Sequence, residues 1–162
     1  AICVLHFVVD QTRVYVINKK VYPDNTLSFL IDQLFHFYFI FIFTPFKNVS
    51  PCFAGEKTIM ILTFFVLVTH TATVLIYYIE KDINNSPFPS FDQKYFMIFE
   101  RIIMWAFFLL KGWWWSVFFV AWIFQLYYFK KKKIIDITTI NFWSSVIISV
   151  ILGLISRYYY YL

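Results

Sequence analysis

The segment TIMILTFFVLVTHTATVLIYYI, from Thr58 to Ile79, runs for 22 residues without a charge. A bilayer core about 30 Å thick is crossed by about 20 helical residues. In hydrocarbon every backbone N–H and C=O must be satisfied within the chain, which a helix does. The segment therefore reads as a transmembrane helix. Three further blocks have the same character: Leu27–Phe46, Ile102–Phe129 and Ile137–Ile155. The expected fold class is all-α, a polytopic membrane protein of about four transmembrane helices.

Composition supports this reading. The chain is 61% hydrophobic and 25% aromatic, with 22 Phe and 12 Tyr but 3 Gly in 162 residues. A water-soluble domain of this length buries about 70% of the surface its unfolded chain exposes, too little to hide such an excess. No cleavable signal peptide is expected, because Ile2–Val9 is short and lacks a basic flank. Cys3 and Cys52 form neither a disulfide framework nor a metal motif. The formal charge of +5 sits beside apolar blocks, as membrane topology requires, and points away from nucleic acid.

Residues 1–25 are expected as an extramembrane arm and residues 26–162 as the transmembrane domain. In the arm, Ile2–Val9 and Arg13–Val21 are rich in β-branched and aromatic residues around Asp10-Gln11-Thr12. That pattern predicts a short extended segment or β-hairpin. Asp24, Asn25 or Thr26 can cap the first span. Loops are expected over Asn48–Gly55 and Asn84–Ser90, both marked by Pro.

The third block, from about Phe91 to Phe129, is expected as one long helix in preference to two short helices around Lys111-Gly112. At about 100° per residue, Gln93, Glu100, Lys111 and Gln125 fall within about 40° of one another. One continuous helix would place them on a single polar face. Lys130–Lys133 would end it, and Tyr158–Tyr161 would form an aromatic belt after Arg157. Four spans put Lys47–Lys57 and Lys130–Asp136 on one side, the more basic one.

Candidate intramembrane polar or relay residues are Glu100, Lys111, Gln125, His70, Asp32 and His36. A charge near the bilayer centre costs at least about 2.5–3.5 kcal/mol on insertion scales, so Lys111 is expected to face protein or a wet cavity. A relay role for Glu100 and Lys111 is weighed against glue between helices, and glue is favoured. Asp32 and His36, four apart, share a helix face with Ser28, as a relay or an interfacial polar patch, and the patch is favoured. His36 and His70 on neighbouring spans would suit a b-type haem, but neither span contains Gly to make room. No catalytic residue, cofactor or metal is therefore expected. There is no phosphate-binding loop, zinc spacing or nucleophile elbow.

Phe, Tyr, Ile, Asn and Lys abound, whereas Gly, Ala, Arg and Pro are scarce, the mark of A+T-rich coding. In this the chain resembles the mitochondrially encoded inner-membrane proteins of ciliates. The resemblance covers the whole chain by composition and carries no functional residue across. It implies a multi-pass subunit of the mitochondrial inner membrane. The expected assembly is a respiratory-chain complex or supercomplex serving electron transport and proton translocation. The subunit would be structural and non-catalytic, with other membrane subunits and phospholipids such as cardiolipin as partners. The alternatives are a scaffold subunit of mitochondrial ATP synthase and a small transporter or translocase.

Overall fold

A computed structural model describes residues 2–43, 55–85, 91–134 and 137–161, all within or between helices. In chain order these are α1 (Ile2–Asn18), α2 (Thr26–Phe43), α3 (Glu56–Asn84), α4 (Phe91–Phe107), α5 (Trp114–Lys131) and α6 (Thr139–Tyr161). No strand occurs among the described residues. Most of the loops expected over Asn48–Gly55 and Asn84–Ser90 lies outside the described residues.

Among the described residues, three helices are long and apolar enough to cross a membrane: α2, α3 and α6. Mean hydropathy peaks at 2.3 in α3, against 1.6 in α2 and 1.8 in α6. The apolar surface of α2 points outward along most of its length, with Leu34, Phe37 and Phe41 among the exposed side chains. Such a surface calls for lipid or apolar protein around it.

The N-terminal arm is helical, which corrects the expected β-hairpin. Its β-branched residues suit a strand, but context overrides that preference. His6, Asp10 and Arg13 recur at i, i+4 and i+7, the spacing of one helix face, and that face meets α2. The helix ends at Lys20, whose φ is 55°. Val21 N–H donates to Val16 O and Lys20 N–H to Ile17 O. This is a Schellman cap formed without glycine.

The third block also departs from expectation. Residues 108–113 reverse the chain, so α4 and α5 form a hairpin in place of one long span. Gly112 takes φ 69°, a conformation open to glycine. The carbonyls freed at the end of α4 find donors on α6. Arg157 donates to Phe108 O at 2.9 Å and to Gly112 O at 3.0 Å, and the Tyr161 hydroxyl donates to Leu109 O at 2.6 Å. A cation is favourable against the negative end of a helix.

The hairpin changes the topology. Lys57 donates to Tyr160 O at one end of α3, whereas Glu80 near the other end meets Thr138 and Asn141. Lys130 donates to Thr139 beside that second group. Lys57 and Lys130 thus lie at opposite ends of the bundle, and the shared basic side expected for their loops is not formed.

The core lies between α4, α5 and α6. Met97, Met104, Phe108, Phe119, Leu126, Phe142 and Val146 are its buried members. Helix α6 approaches α4 through Ser145, Ser149, Gly153 and Ser156, all buried. Small side chains permit this close approach in the absence of a strong hydrophobic drive between helices in lipid. A Cβ at Gly153 would stand 2.3 Å from Phe108 Cδ2 and 2.5 Å from its Cγ. The clash is near the base of the ring, and the ring is held by Trp115 and Phe119. Gly153→Ala should therefore cost about 1–3 kcal/mol through overpacking. Unfolding of the purified chain in detergent measures this, and pairing it with Phe108→Leu should recover part of the loss.

Candidate functional site

Two polar clusters are built into this apolar bundle. The inner one centres on Arg101 of α4, which is 1% exposed. The π turn at Leu67–Thr71 of α3 prepares its partner. There Ala72 N–H turns to Leu67 O and Thr69 O, leaving Val68 O without its usual donor four residues on. Arg101 Nε donates to Val68 O at 3.2 Å. One terminal nitrogen of Arg101 donates to Thr73 Oγ1 and the other to Ser145 Oγ at 3.3 Å. Val68 lies about 18 Å along α3 from Glu56, so the guanidinium sits well inside the span.

Among the described residues no carboxylate lies within ion-pair distance of Arg101. Its charge reaches one through a directed chain. Ser145 O–H donates to Asn141 Oδ1 at 3.3 Å, and Asn141 Nδ2–H donates to Glu80 Oε2 at 3.0 Å. Thr138 Oγ1 donates to the other Glu80 oxygen. Every donor points from Arg101 toward Glu80, an order in which each bond polarises the next. Arginine keeps its proton in proteins, and a primary amide is a poor carrier of protons. The chain therefore joins two charges and fixes α3, α4 and α6; it does not pass a proton along.

The outer cluster joins α1, α2 and α3. Arg13 donates to Asp32 at 3.5 Å, to Asp24 at 3.3 Å and to the Tyr78 hydroxyl at 2.8 Å. Lys81 holds the second Asp24 oxygen at 2.7 Å, and Tyr78 O–H donates to the first. Partial burial alone would raise the Asp24 pKa. Hydrogen bonds from Lys81 and Tyr78, with the charges of Lys81 and Arg13, outweigh it and hold Asp24 below the ordinary carboxylate value. Further along the same seam, His36 Nε2 lies 3.0 Å from Asp10 and 3.6 Å from Asp32. Nδ1 of His36 faces Nδ1 of His6 at 2.9 Å.

The residues singled out from sequence are divided by the fold. Asp32 and His36 do meet, and they gain Arg13 and Asp10 from α1 as partners. Glu100 is buried, but its carboxylate accepts from Trp122 Nε1 of α5 and shares no face with Lys111. Lys111 stands exposed in the turn with Trp113 and Trp114, and Gln125 is exposed on α5. The single polar stripe through these residues is thus not formed. His70 is exposed and lines a cleft with Lys94, Tyr95 and Ile102, whereas His36 turns to α1, so the two imidazoles do not face a common site.

Sequence reasoning missed Arg101 as the hub, although it lay beside Glu100 in the expected stripe. Its signal was the run Asn141, Ser145, Ser149 at four-residue spacing on an apolar helix. Comparison of the chain with protein-family models, curated proteins and solved structures finds no match.

Two outcomes follow from these contacts. Arg101→Met removes the charge but leaves Val68 O without a partner, and should cost about 1–3 kcal/mol. Arg101→Lys keeps the charge and loses the three-way reach, so it should be no milder; denaturant titration in micelles compares them. For Asp24, a depressed folded pKa means that its contribution is full above the unfolded value of about 3.9 and is lost as pH falls through the folded value. The acid limb of a stability–pH profile below about pH 4 should flatten in Asp24→Asn.

Proposed function

We propose that this chain is a non-catalytic membrane subunit of a respiratory-chain complex of the mitochondrial inner membrane. The observation that carries the structural role is the closure of Arg101, Ser145, Asn141 and Glu80 upon one another within the chain. A subunit that moves protons needs titratable groups open to a water path. Here Arg101 and Glu80 are engaged in holding α3, α4 and α6 together. What faces outward is apolar and aromatic, as on α2 and α5, a surface suited to neighbouring subunits and to acyl chains.

The organelle-type composition supports the choice of assembly, since membrane proteins kept in such genomes mostly serve respiration or ATP synthesis. A scaffold role in ATP synthase fits the same outward surface, and the experiment separates the two. After mild detergent extraction of mitochondria, native electrophoresis with mass spectrometry of each band should place the chain in a respiratory complex or supercomplex. Its recovery in the ATP synthase band would transfer the assignment to that enzyme. Recovery as a free small species would favour the transporter reading.

A further inference from the structure

The seam between α1 and α2 carries a second pattern that the proposed role does not use. Helix α1 presents His6 and Asp10, four apart, and α2 presents Asp32 and His36, four apart in the opposite order. Because the two helices pack side by side with Arg13 against Asp32 and Asp10 against His36, the two pairs come together as a set of two imidazoles and two carboxylates.

His6, Asp10 and His36 lie close enough to share one ion. His6 and His36 approach to 2.9 Å, His36 and Asp10 to 3.0 Å, and His6 and Asp10 to 3.4 Å. One ligand atom from each of the three lies within 4.8 Å of the others. The close approaches run through different atoms of each side chain; ligands about 2.0–2.1 Å from zinc stand roughly 3.3 Å apart at tetrahedral angles, so rotations of these side chains would bring one atom of each, already within 4.8 Å of the others, onto a common ion. Burial is graded in the sense a site requires. His36 is 12% exposed, whereas His6 and Asp10 are 61% and 45% exposed. The inner ligand is held, and the outer two leave an open position for water.

Charge points the same way. The carboxylates of Asp10, Asp24 and Asp32 face the cations of Arg13 and Lys81. With both imidazoles neutral, the seam holds one negative charge in excess. Two facing Nδ1 atoms also repel unless a proton or a cation stands between them. His36 Nε2 lies 3.0 Å from Asp10 against 3.6 Å from Asp32, so it is the nitrogen turned toward the Asp10 ligand.

We propose that His6, Asp10 and His36 form a binding site for one divalent transition-metal ion of the zinc class. Two imidazoles and one carboxylate suit zinc with water in the fourth position, and are too nitrogen-rich for calcium or magnesium. This inference is independent of which complex the chain belongs to.

The test uses the full chain in detergent micelles, stripped with chelator and titrated with Zn2+ by calorimetry, and with Co2+ by visible absorption. Wild type should bind one Zn2+ per chain, and Co2+ should give the intense bands of a four-coordinate site. His6→Ala and Asp10→Ala, both at exposed positions, should each weaken Zn2+ at least tenfold with unchanged helical circular dichroism. His36→Ala should abolish stoichiometric binding, and His6→Ala keeps the test valid if that variant does not fold. Wild type that takes up no stoichiometric Zn2+, or equal uptake by His6→Ala and Asp10→Ala, would overturn the site.

Discussion

A guanidinium held in the middle of an apolar bundle sets the terms for everything around it. Arg101 costs at least about 2.5–3.5 kcal/mol to place at membrane depth. Three hydrogen bonds from a charged group return about 1.5–3 kcal/mol each, enough to offset that cost when all three are made. They are made because α3 offers a carbonyl at its π turn, Thr73 one turn beyond, and α6 a serine at the same level. Moving any of these helices by a turn would strand the charge. The packing of α4 against both neighbours is specified by this requirement more sharply than by apolar contact, which lipid supplies equally well.

The ends of the bundle obey the same rule on a smaller scale. Arg157 closes the α4–α5 turn by taking the carbonyls of Phe108 and Gly112. The chain can therefore reverse direction near an interface without leaving carbonyls bare. At the opposite end, Asp24 gathers Arg13, Tyr78 and Lys81 from two helices. Cations and carboxylates here act as joints between helices whose long faces are interchangeable.

Much of this was legible in the sequence and some was not, for reasons that residues make plain. The apolar runs of α2, α3 and α6 announce themselves because hydropathy adds along a run. Two short helices meeting at Lys111-Gly112 were legible as an alternative, but Trp113, Trp114 and Trp115 continue the apolar block, and one glycine weighs little against it. The chance alignment of Glu100, Lys111 and Gln125 then favoured an unbroken helix. The decisive partner, Arg157, lies far along the chain, where a turn's stability cannot be read locally. In α1 the reading followed β propensity, a preference that burial readily overrides. The spacing of His6, Asp10 and Arg13 carried the better signal. Asp32 and His36 were found because both lie on one helix; their partners on α1 came only with the tertiary fold.

The π turn in α3 carries one residue more than an α turn would for nearly the same advance along the axis. It therefore introduces a phase step of about 100° between the two halves of the helix. Lys57 in the first half and Glu80 in the second are both fastened to α6, at Tyr160 and Asn141. The two fastenings agree only because of that step. Winding Leu67–Thr71 as plain α-helix with every residue kept would turn Glu80 by about 100° away from α6 while Lys57 stayed in place, whereas deleting one residue there would straighten the helix and leave the two fastenings in phase. The surplus residue and the π turn therefore belong together: the turn absorbs the residue, and both ends of α3 meet α6.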